Sequence, residues 1–420
     1  MTSGAQPSHQ QQATASKDDS PPSWKVVSLA EITRECRSRN NGQLDDKLLC
    51  GVLKSQGLVP MRERVKGDST DRCKVVSANA FAYNPMRLNI GSIARNTADH
   101  SVMVSPDYVV FQTDPERLLP NYLDHVRHSG LWRSYVGTTG DGSVRVRIYY
   151  DQLSRLQLPI PPLSEQQKIA AILTAVDDKI DVISRQIEAT QTLKQGLMQT
   201  LFSRGLSGLA ASDWPTVLLQ DVAEVRTGLA KGKKGLKDPV ELPYLRVANV
   251  QDGHIDLAEV KTIEVEADQV DRYALQSGDV LMTEGGNFDK LGRGDVWESQ
   301  ISPCLHQNHV FAVRPDSSKL NPYYLAALAA SDYGRQYFLS CAKRTTNLAS
   351  INSSQLKAFP VLLPPMDEQI RIAKIVSAAN ARIETLSTKK AHYQTLKRGL
   401  MQKLLTGEWR AKLDSTSGTA

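Results

Sequence analysis

The residues of this chain that invite a catalytic or metal reading each stop short of the pattern their chemistry needs. Gly228-x-x-x-Gly232-Lys233-Lys234 has the outline of a phosphate loop. A nucleotide loop of that kind places four residues between its glycines and a Ser or Thr after the lysine to reach the metal. Here three residues intervene and Lys234 follows. Asp256-x-x-Glu259-x-Lys261 echoes the acid, acid, lysine set of a metal nuclease, but the polar face of a strand explains it as well. Cys304, His306 and His309 cluster with no fourth ligand in view, and zinc usually takes four; a strand with polar cross-strand partners accounts for them. An amino-methyltransferase would hold its target base with Asn-Pro-Pro-aromatic. Asn84-Pro85-Met86 and Asn321-Pro322-Tyr323 both lack the second proline, and no Gly-rich cofactor loop follows a plausible strand. The chain reads as a binding protein and not as an enzyme, with no metal site.

Several segments carry the chemistry of nucleic-acid contact instead. Arg226, Lys231, Lys233, Lys234 and Lys237 lie in a stretch that holds no acid from 226 to 237 and is loosened by Gly228, Gly232 and Gly235. Such a run suits phosphates, although a solvated surface loop has the same composition. Lys343-Arg344-Thr345-Thr346-Asn347 packs two cations, two hydroxyls and an amide behind an expected helix at 323–339. Arg reads guanine bidentately and Asn reads adenine. The competing explanation is a helix C-terminal cap with cations favoured by the dipole. Arg246, Asn249 and Gln251 are expected on one face of a strand from Tyr244 to Val250. In the first half, Arg145 and Arg147 alternate, and Asn84, Arg87, Arg95 and Asn96 are further candidates.

The elements that must hold these segments are revealed by an internal repeat. Pro161-Pro162-Leu163-Ser164-Glu165-Gln166 returns as Pro364-Pro365-Met366-Asp367-Glu368-Gln369, an offset of 203. Leu193-Lys194-Gln195-Gly196-Leu197-Met198-Gln199 returns at the same offset as Leu396-Lys397-Arg398-Gly399-Leu400-Met401-Gln402, and Gln152-Leu153 as Gln355-Leu356. An ungapped offset over some fifty residues indicates duplication. Each block opens like a helix, with Ser164 or Asp367 expected as N-cap and Glu165 or Glu368 in the first turn. Apolar residues follow at Ile169, Leu173, Val176, Ile180, Ile183 and Ile187, and at Ile372, Val376, Ala379, Ile383 and Leu386. Steps of three and four are the coiled-coil period. Some forty residues at 1.5 Å each give helices of about 60 Å, expected to pack on each other.

Trp24-x-x-Val27-x-Leu29-x-x-Ile32 resembles Trp214-x-x-Val217-x-Leu219-x-x-Val222, and each opens a variable region that ends at a Pro-Pro block. The expected divisions are a disordered tail at 1–22, a variable domain at 23–160, a long helix at 161–204, a linker at 205–213, a second variable domain at 214–363, a second long helix at 364–407 and a tail at 408–420. With 420 residues, of which 40% are hydrophobic, the chain has length and apolar content for two or three cored domains. A net charge of +6 permits an anionic partner without demonstrating one. Five isolated cysteines without a CxxC pair fit a reducing cytoplasm, and no apolar run approaches the ~18 residues of a membrane span.

In these features the chain resembles the specificity subunit of type I restriction-modification systems, over about residues 24 to 410. The duplicated helix start and Leu-Lys-x-Gly-Leu-Met are its best marks. Tyr244 to Gly253, Gly278 to Gly285, Gln307-Asn308-His309-Val310 and Phe81 to Gly91 also look typical. The resemblance implies an α+β protein. Two mixed α/β target-recognition domains are held apart by an antiparallel coiled coil of the two long helices, in a pseudo-two-fold repeat. It implies that each domain reads half of a bipartite site in double-stranded DNA. Two methyltransferase subunits and the restriction-translocase subunits would be the partners. S-adenosylmethionine, ATP and magnesium would belong to those partners, with no cofactor in this chain. The first variable domain has no segment alignable with Tyr244-Leu-Arg-Val-Ala-Asn. Two alternatives stay open: a related system with one fused methyltransferase-nuclease partner, and a coiled-coil scaffold that binds no DNA.

Overall fold

A computed structural model describes residues 24–61, 69–139, 147–206, 213–231, 235–286, 288, 291–344 and 349–411, with only the backbone of Arg344. They form two compact units. One runs to Asp181 and resumes at Ala391; the other is Val182–Lys390. Two uninterrupted helices, Leu163–Arg204 and Met366–Leu404, each contribute to both units.

In the first unit an antiparallel sheet runs in the order Thr33–Glu35, Val109–Thr113, Phe81–Tyr83, Ile93–Arg95. A second sheet runs Gly57–Pro60, Leu49–Leu53, Val102–Val104, Lys74–Val76, with Leu49–Leu53 parallel to Val102–Val104. Lys25–Ser28 pairs with Gln157–Ile160 to close the module just before the long helix. The second unit repeats this plan. Its four-stranded sheet is Ala223–Thr227, Val310–Pro315, Val280–Thr283, Gly294–Val296. Its other main sheet is Lys261–Glu266, Pro239–Leu245, Leu305–His306, again with one parallel pair. Thr216–Leu218 pairs with Pro360–Leu362. The segment missing from the sequence alignment therefore exists as a place in the fold: Leu49–Leu53 stands where Pro239–Leu245 stands. Backbone pairing and a few buried apolar side chains suffice for that place, so Cys50 and Val52 fill it without any of the Tyr-Leu-Arg-Val-Ala-Asn residues.

The repeated Pro-Pro block has a mechanical explanation. Gln166 is fully buried; its Oε1 accepts from Leu119 N–H at 2.9 Å, and its Nε2 donates to the carbonyls of Arg117 and Pro161, both at 2.9 Å. Gln369 does the same, accepting from Asn321 N–H at 2.9 Å and donating to Lys319 at 3.0 Å and Pro364 at 2.9 Å. Each glutamine clips the start of a long helix to the loop that leads into a helix of the domain, Pro120–Val126 or Pro322–Ala330. Glu165 takes Arg410 as a bidentate partner at 2.6 and 2.7 Å and Trp24 Nε1 at 3.2 Å. Burial pushes the Glu165 carboxyl up, but these donors and the guanidinium charge bring it below the ordinary carboxylate range. Glu368 accepts from Leu206 N–H at 2.8 Å. In each unit, then, the start of one long helix meets the chain just beyond the end of the other, which is an antiparallel arrangement.

Four expectations are corrected here. Ser164 and Asp367 do not cap: the helices begin one residue earlier, and the carbonyls of Pro162 and Pro365 accept the first helical N–H groups. The seam residues also pack into the cores of the two units. Ile169 and Leu173 are part of a core with Trp24, Phe111, Tyr122 and Leu404. Ile372 and Val376 are part of one with Met198, Phe202, Trp214 and Tyr324. Val176, Ile183 and Leu386 are buried, while Ile180, Ile187, Ala379 and Ile383 are half-buried. The expected helix at 323–339 is two helices, Pro322–Ala330 and Asp332–Cys341. They break where Ser331 accepts from Gly334 N–H and so caps the second. The strand expected to Val250 ends at Leu245, and Val247–Asn249 is a 3-10 turn. Residues 408–411 are not a loose tail, since Arg410 is held on Glu165. The expected tail at 1–22 and most of the linker lie outside the described residues.

Candidate nucleic-acid interface

In the second unit the Lys343-Arg344 candidates lie on a strand that turns back through Ala349–Ser350, which in turn pairs with Gly285–Gly286. Gly285 is required there, because a Cβ would sit 2.9 Å from the Ala349 carbonyl. Ile351 N–H donates to the Glu284 carbonyl at 2.8 Å, and Glu284 N–H to the His309 carbonyl at 3.0 Å. His309 Nδ1 lies 2.5 Å from Glu284 Oε2. Asn308 N–H donates to the Leu229 carbonyl at 3.0 Å, bringing in the segment that leads to Lys231. The exposed Lys231 ammonium stands 5.4 Å from the centroid of the Tyr244 ring, within cation–π range. Lys231 and Lys343 thus belong to one rim of the domain, held by strand-end hydrogen bonds. Lys233, Lys234, Thr345, Thr346 and Asn347 lie outside the described residues, as does the side chain of Arg344.

The same rim exists in the first unit. Ile148, which stands 203 residues before Ile351, donates from N–H to the Pro85 carbonyl at 3.0 Å. Arg147 and Arg87 are both exposed beside this junction. Arg145 lies outside the described residues. The hydrogen bond from Ile148 to Pro85 therefore joins the segments that carry Arg147 and Arg87, at the place in the fold that Ser350 and Gly286 occupy in the other unit.

Other candidates are spent inside the fold. Asn249 is buried, and its Nδ2 donates to the carbonyls of Asp256 at 2.8 Å and Glu259 at 3.0 Å, while its Oδ1 accepts from Arg246 N–H at 2.9 Å. Arg246 Nη2 donates to the Glu259 carbonyl at 3.1 Å and lies 3.6 Å from that carboxylate. The alternation that suggested a common face is broken by the 3-10 turn. Arg95 is paired with Asp124 and Asn79, and Asn96 is buried on the carbonyls of Val76 and His100. Asp256, Glu259 and Lys261 are local braces, with Glu259 between Arg246 and Lys261. Cys304 is buried with its thiol pushed up to about 12 by burial. His306 is buried too: its Nδ1–H donates to the Val310 carbonyl at 2.9 Å, and burial drives the imidazole down to about 4. Among the described residues no group of His, Cys, Asp and Glu could hold a metal ion.

The family model described as type I restriction modification DNA specificity domain matches residues 137–191 and 211–392. The chain belongs to this family. It is similar to the EcoKI specificity subunit of Escherichia coli K12, at 25% identity over 89% of this chain and 82% of that protein. It is 32% identical over 207 residues to the putative MjaX specificity subunit of Methanocaldococcus jannaschii, covering 49% of this chain and 48% of that one. The type I restriction-modification S subunit from M. genitalium shares the fold, with a TM-score of 0.59 at 13% identity over 92% of this chain and 97% of its own. A second type I structure gives 0.52 at 19% identity, covering 94% and 100%. The specificity domain is a DNA-recognition domain, and it occurs here as two modules of one topology. Of the residues that build the rims, Gly285 stood out only as part of the resemblance, His309 there and as a discarded metal ligand, and Ile148 not at all. Their role rests on backbone contacts that leave little trace in residue type.

Proposed function

We propose that each module of this specificity chain reads one half of a bipartite site in duplex DNA across an unread gap of roughly half to one helical turn. The observation that carries this is the paired rim. In both modules a backbone hydrogen bond joins equivalent segments, Ile148 to Pro85 and Ile351 to Glu284, with Arg87 and Arg147 exposed in one, and Lys231 and Lys343 in the other. The long helices are the docking surface for two methyltransferase subunits. Leu193 and Leu396, equivalent in the repeat, are 61% and 49% exposed, so the same apolar position is left open on each long helix. A Cβ at Gly196 or Gly399, one turn further on, would meet nothing within 4 Å. Two equivalent patches suit two copies of one partner.

Restriction-translocase subunits complete the complex in the cytoplasm. S-adenosylmethionine, ATP and magnesium are bound by the partners, and this chain contributes recognition without catalysis. No helix among the described residues is long and apolar enough to cross a membrane. Gel shift of the chain with its methyltransferase partner, using duplexes with and without the methylated genomic motif, tests the reading. Retention of the motif-bearing duplex alone is expected. Equal indifference to both duplexes would leave the scaffold alternative. Neighbouring genes for separate methyltransferase and nuclease subunits, against one fused gene, decide between the two kinds of partner. Mass measurement of the complex is expected to give two methyltransferases per chain.

A further inference from the structure

Two hairpin turns of the first module touch. Ser92 Oγ donates to the Val52 carbonyl at 3.2 Å. The methylenes of Lys54 lie 3.4–3.6 Å from where a Cβ of Gly91 would stand. Gly91 has φ +92°, a conformation that favours glycine, and Lys54 packs over it at ordinary van der Waals distance. The turn at 84–92 is stiff. Asn84 accepts from Met86 N–H with its side chain and from Arg87 N–H with its carbonyl, both at 3.0 Å, and Ser92 N–H donates to Arg87 at 2.9 Å. Leu88, 1% exposed, plugs the module and turns its neighbours outward.

What those neighbours present is unusual for a turn. Ile90 is 58% exposed, Met86 43% and Leu53 38%. Single exposed apolar residues need no explanation, but three on adjacent rigid turns form a patch. Exposed Lys54 and Arg87 stand among them, Arg147 adjoins through Ile148 and Pro85, and neither 53–57 nor 84–92 contains an acid. The matching turn of the second module also exposes an aromatic, Phe288, at 38%.

We propose that Leu53, Met86 and Ile90 read thymine methyl groups in the major groove of the first module's half-site, with Lys54, Arg87 and Arg147 on the flanking phosphates. A duplex is the occupant that fits an apolar patch ringed by cations without acids. The thymine C5-methyl is the apolar group that the major groove displays. The inference rests on the DNA-recognition reading above.

The test uses the full chain with its methyltransferase partner and duplexes in which each thymine of the motif, on either strand, is replaced singly by deoxyuridine. That change removes one methyl and no hydrogen-bonding group. The expected result is a loss of about four-fold at one or more positions of one half-site, the effect of one buried methyl. Met86→Ala or Ile90→Ala should abolish the discrimination while leaving the other half-site untouched. Arg87→Ala should lower the salt slope by about one and leave the methyl effect in place. A motif half with no thymine on either strand, no deoxyuridine effect, or discrimination that survives in the Leu53, Met86 and Ile90 alanine variants would overturn the inference. So would a change in DNA bending by Ile90→Ala without a methyl effect, which would make the patch a wedge. If the wild-type complex does not prefer its own motif over a scrambled duplex, the recognition reading falls as well; if it does, only the methyl contact is at stake.

Discussion

Replacing Gln369 by alanine removes three hydrogen bonds at once. The Pro364 carbonyl is in a buried setting, and the Asn321 N–H and Lys319 carbonyl are partly reached by water. Leaving one buried backbone group unpaired costs ~1–3 kcal/mol, and two partly exposed bonds add ~0.5–1 each, so the module should lose roughly 2–5 kcal/mol. Gln369→Glu should be no better, because a carboxylate accepts from Asn321 but cannot donate to either carbonyl. Hydrogen exchange followed by mass spectrometry should show faster exchange in peptides spanning 316–325 and 364–370. Peptides around 117–120, which depend on Gln166, should keep their protection. Unchanged exchange at 316–325 together with an unfolding midpoint shift worth less than ~0.5 kcal/mol would refute the claim that this glutamine is the clip.

Acidification should weaken the second module. The folded state holds His306 neutral down to about 4, whereas the unfolded chain protonates it near its ordinary 6.5. Between those values the unfolded state binds more protons, so stability falls as pH drops, by up to ~3 kcal/mol. Urea midpoints from pH 7 to pH 5 check this, and His306→Gln should flatten the profile. Arg344→Ala and Asn347→Ala should each relax one base pair of a single half-site by about 1–3 kcal/mol, read from methylation of variant motifs; wild-type efficiency in both would make the loop a cap. Residues 206–420 hold one complete repeat, including seam residues Ile372, Val376 and Leu386 that the intact chain buries. A second copy can cover that stripe at about 25 cal/mol per Å². Coexpressed with the methyltransferase, this half should dimerise and methylate a gapped palindrome, with binding that weakens on dilution; a monomer, or the unaltered asymmetric motif, would contradict it.

The duplication, the long helices and most of the seam were legible because they depend on side-chain period and on a repeated block. The clip made by Gln166 and Gln369 was visible as a motif, but its reason was not. A buried glutamine satisfied by three backbone groups looks in sequence like any polar residue in a first helical turn. Reading Arg246, Asn249 and Gln251 as one face assumed a continuous strand. The chain instead turns after Leu245 because the Asn249 side chain accepts from Arg246 N–H and braces the loop at 256–259. The likeness of the two modules was hidden because Leu49–Leu53 and Pro239–Leu245 share a pairing pattern, one antiparallel and one parallel neighbour, and almost no residues. Arg87 and Arg147, far apart in sequence, lie on segments joined by the hydrogen bond from Ile148 to Pro85.

Sequencing of modified bases in DNA methylated by the chain and its partner tests the central claim most directly. Two modules of one topology, each with its own rim, should yield one motif of two specified blocks separated by a fixed run of unspecified bases. A single contiguous motif, or methylation without sequence preference, would contradict the account.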